Sequence, residues 1–117
     1  MKRSTPLDTV ATLVEARRAG DAATAFACYA PDAVVMLQPG ERGEGEAAIR
    51  AFIAAVGALT LSFERHEVLE HGDTALHTSR YTLDLGEKGT ISGRTADVLR
   101  RGPDGAWRIV IDNAFAG

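Results

Sequence analysis

The chain has 117 residues, of which 45% are hydrophobic and 25% charged, and its formal net charge is −3. This size and balance fit a single globular domain over residues 1–117 and leave no room for a second core. The 13 basic residues are spread along the chain, so no basic patch indicates nucleic acid as a partner. Because the N-terminus has no uninterrupted apolar segment, we expect neither a signal peptide nor a membrane span, and a cytoplasmic protein.

The first half of the chain has the spacing of three short helices. A capping threonine followed by proline predicts a helix over 5–18. A second helix is predicted over 20–29, and a third over 46–57, where the apolar residues form one stripe. Between them, 33–38 is predicted as a short strand and 39–45 as a polar loop.

The second half is predicted to form strands separated by turns. Turn residues at 71–73, 86–89 and 102–105 divide stretches with strand composition. Helices followed by strands are typical of an α+β fold, with the helices on one side of an antiparallel sheet.

The turns also predict which residues face one another across the sheet. If 87–89 is a three-residue hairpin loop, Gly86 faces Thr90, Tyr81 faces Thr95, and Ser79 faces Asp97. Over the last hairpin, Leu99 is predicted to face Ile109. The same register pairs Asp97 with Ile111 and Thr95 with Asn113.

Two aspartates lie in the middle of the last two predicted strands, where this residue type is disfavoured. The predicted registers separate them. Asp112 falls on the outer face of the sheet beside Arg94, as half of a surface ion pair. Asp97 falls on the inner face, where a carboxylate must be hydrogen-bonded, paired, protonated or open to a wet pocket. Asp97 is therefore the first candidate for a functional residue.

His77 and Tyr81 share the predicted face of Asp97, and all three are candidate catalytic residues: an acid or base with a tyrosine hydrogen-bond donor. A plain role in the pocket wall is the alternative for His77 and Tyr81. The histidines have no metal-ligand spacing and Cys28 is the only cysteine, so neither a metal nor a cofactor is predicted. The residues expected to contact a small-molecule ligand are Tyr29, Met36, Phe52, Ser79, Thr95, Ile111, Asn113 and Phe115.

Five short motifs occur in order along the chain: AGD at 19–21, YAPDAV at 29–34, GEG at 43–45 with AIRAF at 48–52, GDTA at 72–75, and GAWRIV at 105–110. Together they resemble the nuclear transport factor 2-like superfamily, in particular its small bacterial SnoaL-like and ketosteroid isomerase-like domains. The resemblance implies a cone-shaped, cystatin-like α+β fold, in which three N-terminal helices pack on a curved antiparallel sheet.

The resemblance also implies a kind of function. Asp97 matches the place where ketosteroid isomerase keeps a protonated acid that donates a hydrogen bond to the substrate's oxygen. The isomerase's base, an aspartate before a proline on the first strand, is replaced here by Gln38 before Pro39. The isomerase's tyrosine on the first helix is replaced by Leu13 or a close neighbour.

We therefore expect a pocket for a small, partly apolar, carbonyl-containing metabolite, with weak isomerase, dehydratase or cyclase activity as one hypothesis. A non-catalytic ligand-binding or homodimerisation module is the alternative. Charges of both signs on the outer face of the sheet, together with the resemblance, predict a homodimer through that face.

Overall fold

The computed structural model describes residues 4–56 and 60–117. Six strands form one curved sheet in the order β2-β1-β6-β5-β4-β3, and the helices pack on it. No helix in the described ranges is long and apolar enough to span a bilayer. The elements in chain order are α1 (Pro6–Ala19), α2 (Ala22–Ala27), β1 (Tyr29–Gln38), β2 (Glu41–Glu44), α3 (Glu46–Val56), β3 (Thr60–His71), β4 (Thr74–Asp84), a 3-10 turn (Gly86–Lys88), β5 (Thr90–Arg101) and β6 (Trp107–Asn113).

Local signals fix the first helix. The Thr5 hydroxyl accepts a hydrogen bond from the Asp8 amide at 3.1 Å, and the Asp8 carboxylate accepts one from the Thr5 amide at 3.1 Å. This capping box starts α1. The helix ends at Gly20, whose φ of 69° is a left-handed conformation that favours glycine. The helix predicted over 5–18 is thereby confirmed.

The sheet is mixed rather than wholly antiparallel, because β1 runs parallel to β6. The second helix ends at Ala27, earlier than predicted, since Tyr29 already begins β1. The predicted loop over 39–45 contains β2, which forms a hairpin with β1. This edge strand has mostly exposed, polar side chains and therefore lacks an apolar pattern in the sequence. The predicted helix end at Gly57 and the start of the next strand at Leu59 lie outside the described residues.

The core lies between the helices and the inner face of the sheet. Leu13 of α1, Ile49 of α3 and Leu99 of β5 are buried in it, together with Trp107, which is 2% exposed. The Thr9 hydroxyl donates to the backbone carbonyl of Trp107 at 2.8 Å and ties α1 to β6.

The register of β4 against β5 differs from the prediction by two residues. His77, not Ser79, faces Asp97, and Tyr81 faces Gly93 rather than Thr95. The predicted three-residue loop was too short, because the 3-10 turn lengthens the connection. A shift of two residues leaves every side chain on its predicted face.

A β-bulge changes the register of β5 against β6. Leu99 faces Ile109 as predicted, but the next pair is Val98 with Ile111, so Val110 is an extra residue on β6. Beyond the bulge the predicted pairs of Asp97 with Ile111 and of Thr95 with Asn113 are wrong. A one-residue bulge moves the side chains that follow it to the other face of the strand.

Candidate functional site

A cavity of about 240 Å³ lies between the inner face of the sheet and helices α1 and α3. Most of its wall is apolar, with Leu13, Phe52 and Phe63 as examples. The polar groups that line it are few and come from different elements. They are Arg17 from α1, Tyr81 from β4, Thr95 and Asp97 from β5, and Asp112 from β6.

The bulge at Val110 brings two carboxyl groups together in this cavity. Asp97 and Asp112 face each other across β5 and β6, and they are 6% and 7% exposed. The prediction that Asp112 lies outward beside Arg94 is therefore wrong. The interaction between the two carboxyls lowers the pKa of Asp97 and raises that of Asp112. Since ionised carboxylates only accept hydrogen bonds, a hydrogen bond between the two groups would require a proton on one of them.

Burial makes this pair titrate near neutral pH. It raises the pKa of Asp97 to about 6 and that of Asp112 to about 7. The charge of Asp97 further raises the pKa of Asp112, because a second negative charge beside the first is unfavourable. The two groups therefore titrate as a coupled pair.

Two side chains support Asp112. The Tyr29 hydroxyl donates to Asp112 Oδ2 at 2.6 Å, and Arg17 Nη2 donates to the Tyr29 hydroxyl oxygen at 3.2 Å. Burial, followed by the charge of Asp112, raises the pKa of Tyr29 well above 10, so the tyrosine stays a neutral donor. The guanidinium of Arg17 lowers the pKa of both aspartates and so favours an ionised carboxylate in the cavity.

Asp97 accepts two hydrogen bonds of its own. Thr95 Oγ1 donates to Asp97 Oδ1 at 2.9 Å, and His77 Nδ1 lies 3.0 Å from Asp97 Oδ2. His77 is fully buried, and burial lowers its pKa against the opposing effect of the charge on Asp112. A neutral His77 that carries its proton on Nδ1 is the donor that an ionised Asp97 requires.

The predicted site residues divide into three groups. Those that line the cavity are Phe52, Tyr81, Thr95, Asp97 and Phe115. His77 and Tyr29 lie behind the cavity wall and bind Asp97 and Asp112. Their predicted catalytic and ligand-binding roles stay predictions.

The third group does not line the cavity: Met36, Ser79, Ile111 and Asn113. Ile111 lies on the outer face, 44% exposed, because the bulge turns it away. Ser79 is buried, and its hydroxyl has no hydrogen-bond partner among the described residues. The Asn113 side chain accepts a hydrogen bond from the Phe115 amide at 3.0 Å.

Three residues of the site were missed by the sequence reasoning: Asp112, Arg17 and His66. Asp112 was missed because the bulge was not foreseen. Arg17 continues the apolar spacing of Val10 and Leu13 on α1, and a charged residue on that face was the available signal. His66, whose Nδ1 lies 2.9 Å from His77 Nε2, had no signal in the sequence pattern. Within residues 4–56 and 60–117, no cluster of three or more acidic, histidine or cysteine side chains could hold a metal.

The sequence matches one family of known protein domains. The SnoaL-like domain family matches residues 10–110. The protein belongs to this SnoaL-like family. The match includes Arg17, His77 and Asp97, and Asp112 lies two residues beyond its end. No curated protein matches the sequence.

Solved structures show the same fold as this SnoaL-like domain. A nuclear transport factor 2-like protein of unknown function from Pseudomonas putida is 21% identical, with a TM-score of 0.82 over 98% of this chain and 86% of the other. A protein provisionally named ketosteroid isomerase from Shewanella frigidimarina is 20% identical, with a TM-score of 0.76 over 91% and 90%. One provisionally named dehydratase, from the same superfamily in Streptomyces avermitilis, is 17% identical, with a TM-score of 0.73 over 90% and 88%. At these identities the likeness concerns the fold.

Proposed function

We propose that this SnoaL-like domain binds a small, mostly apolar carbonyl compound and catalyses a proton transfer on it, in an isomerisation, dehydration or cyclisation. The observation that carries the proposal is the buried pair of Asp97 and Asp112 in the wall of a mostly apolar cavity. A carboxylate beside a carboxylic acid supplies a base and an acid at one place.

The roles within the pair follow from its hydrogen bonds. Asp97 accepts from Thr95 and from His77, which stabilise its ionised form, and it is the base that takes a proton from the carbon next to the carbonyl group. Asp112 holds a proton and gives it to the carbonyl oxygen, so that an enol forms without a free charge. Transfer of the proton from Asp97 to another carbon, with return of the enol proton to Asp112, completes an isomerisation. In a dehydration the proton on Asp97 goes instead to the departing hydroxyl group, which leaves as water, and the enol proton again returns to Asp112. Arg17 stabilises the negative charge that develops on the oxygen or on the pair.

The cavity wall also offers a carboxyl in place of the base that the resemblance to ketosteroid isomerase left absent. Gln38 replaces that family's base, and Asp112 offers a second carboxyl from β6 instead. Leu13 replaces its tyrosine, and Tyr29 acts from behind the wall by donating its hydroxyl proton to Asp112. These substitutes support the same class of chemistry with residues from other elements.

The test is turnover of small hydroxy-ketones and unsaturated ketones by the parent and by Asp97→Asn and Asp112→Asn. Each substitution is expected to lower turnover by about 10² to 10⁴, the range of a positioned acid or base. The exposed Asp84→Asn is the matched control and should leave turnover unchanged. Turnover that persists in both site variants would refute the proposal. A metabolite that copurifies with the parent but is never converted would favour a ligand-binding module instead.

We also propose that a second copy of the chain covers the outer face of the sheet. Apolar side chains that face one another on successive strands form a row across this face. Three of them, Leu69, Leu76 and Ile111, are at least 40% exposed. Arg80 and Arg94 lie directly opposite each other on this face. Glu64 of the same chain faces Arg80, so an acidic side chain of a partner would act mainly on Arg94, and Glu67 on the edge strand β3 is a candidate for this acid. The row consists of Leu69, Leu76, Val98, Ile111 and Val34.

A further inference from the structure

Strand β3 contains a bulge where it pairs with β4. Glu64 faces Arg80 and Glu67 faces Thr78, so the two residues between them on β3 oppose one residue on β4. Arg65 has a φ of 56° and is the only non-glycine residue with a positive φ in the described part of the chain. A left-handed arginine is unfavourable and persists only where the surroundings impose it. The bulge places His66 against β4.

His66 and His77 connect the surface of the protein with Asp97. His66 is exposed, and its Nδ1 lies 2.9 Å from Nε2 of the fully buried His77. The ring centroids are 5.1 Å apart and the ring planes differ by 26°, so the rings are nearly parallel, as an edge-to-edge hydrogen bond between ring nitrogens allows. His77 Nδ1 then lies 3.0 Å from Asp97 Oδ2. Three side chains from three adjacent strands thus form a continuous hydrogen-bonded path from the edge of the sheet to the cavity.

We infer that His66 and His77 carry protons between bulk water and the pair of Asp97 and Asp112, so that Asp97 can change its protonation state by a path separate from the cavity. The inference rests on the proposed function in one respect, because a proton path to Asp97 is useful only if Asp97 and Asp112 transfer protons in a reaction. His66 is here a positioning residue, since it acts on the pair through His77.

One proton enters the path at His66 for each proton that reaches Asp97. With Asp97 ionised, His77 carries its proton on Nδ1 and accepts at Nε2, so His66 carries its proton on Nδ1 and leaves Nε2 for water. A proton from water then binds His66 Nε2, the His66 Nδ1 proton moves to His77 Nε2, and the His77 Nδ1 proton moves to Asp97 Oδ2. Asp97 becomes a carboxylic acid and both rings stay neutral. The reverse sequence returns one proton to water and restores both rings.

The electrostatics of the two histidines favour this neutral relay. Burial and the neighbouring His77 lower the pKa of His66, and burial lowers that of His77. Neither ring therefore holds an extra proton near neutral pH. Phe63 lies beside the His66 ring at a centroid distance of 6.0 Å and adds no charge to the path.

The experiment compares the exchange of the buried hydroxyl protons of Tyr29 and Asp112 with water, measured by NMR magnetisation transfer, in the parent and in His66→Ala. We expect exchange to slow by about a hundredfold in the variant, the lower end of what a positioned proton-transfer group contributes. Added imidazole should restore the rate, because it can replace the missing ring. His71→Ala, a change at the exposed end of β3, is the control and should exchange like the parent.

Equal exchange rates in parent and His66→Ala would overturn the inference, since protons would then reach the pair through the cavity. Slow exchange that imidazole does not restore would also overturn it, because it would indicate a structural effect. His66→Gln keeps a polar side chain of similar size, and should be as slow as His66→Ala without a loss of thermal stability. The measurement needs no substrate, so its failure leaves the turnover test of Asp97→Asn as an independent test of the proposed function.

Discussion

Asp112 and Asp97 are buried side by side, and burial raises their pKa values to about 7 and about 6. In an unfolded chain the pKa of an aspartate is about 3.9. Folding therefore favours the protonated forms, and the stability that the pair contributes is complete below the unfolded value and is lost as the pH rises through 6 to 7. The free energy of unfolding should consequently be lower at pH 8 than at pH 5.

Asp112→Asn should remove much of this pH dependence. The amide can still accept from Tyr29 and donate to Asp97, but it never ionises. We expect the variant to be more stable than the parent at pH 8, by about 1.4 kcal/mol for each pH unit between the folded and unfolded pKa of Asp112, and equally stable at pH 4. Denaturant unfolding at both pH values measures this. The exposed Asp32→Asn should gain nothing at pH 8, and an equal gain there would contradict burial as the cause.

Arg17 supplies the positive charge beside the pair. Its guanidinium lowers the pKa of both aspartates. Arg17→Met keeps the apolar part of the side chain and removes the charge, so both carboxyls should titrate at higher pH than in the parent. Carboxyl carbon chemical shifts followed against pH measure the change. Arg18→Met, at the exposed neighbouring position, is the matched control, and an unchanged titration in Arg17→Met would contradict the assigned role.

The bulge of β3 depends on Arg65 in a left-handed conformation. Glycine adopts this conformation without steric cost, so Arg65→Gly should stabilise the fold by about 1 kcal/mol and keep His66 against His77. Urea unfolding measures the stability, and contacts between the two histidine rings in NMR spectra measure the geometry. Arg80→Gly lies at a regular strand position and should destabilise by about 0.5 to 1 kcal/mol. A loss of stability in Arg65→Gly would contradict the bulge.

The two bulges mark the limit of what the sequence could predict. The ends of α1 were predictable because Thr5 and Gly20 act locally on the backbone. The faces of β4 were predictable because an even register error preserves them. The bulge at Val110 was not predictable from the sequence, because its extra residue is a valine, which is equally common in regular strands. The pairing of Asp97 with Asp112 was missed for the same reason.

The fold family could be predicted from the sequence, whereas the pairing of the strands in the sheet could not. Five short motifs were sufficient to predict the family, and the α+β fold with it. The parallel pairing of β1 with β6 joins residues that are far apart in sequence, such as Val35 and Asp112. No local pattern specifies such a pair, so the sheet was predicted as antiparallel throughout.

At the scale of the whole molecule, the proposed dimer predicts a specific effect of charge on the outer face. Leu76 lies in the apolar row and is 40% exposed, and Leu7 lies on α1 and is 42% exposed. Leu76→Glu should convert a dimer to a monomer in sedimentation velocity, because a buried unpaired carboxylate is costly at an interface. Leu7→Glu, matched in exposure, should leave the parent's mass unchanged. A parent that sediments as a monomer at high concentration would contradict the proposal.

The coupling of the two carboxyls in the cavity is tested most directly by an NMR titration of the side-chain carboxyl carbons of Asp97 and Asp112 in the intact protein. We expect them to titrate as a coupled pair with pKa values of about 6 and about 7. In Asp97→Asn the pKa of Asp112 should fall, because the charge of Asp97 helps to raise it. Titration of both carboxyls near pH 4, as in exposed aspartates, would contradict the coupled pair and the chemistry proposed from it.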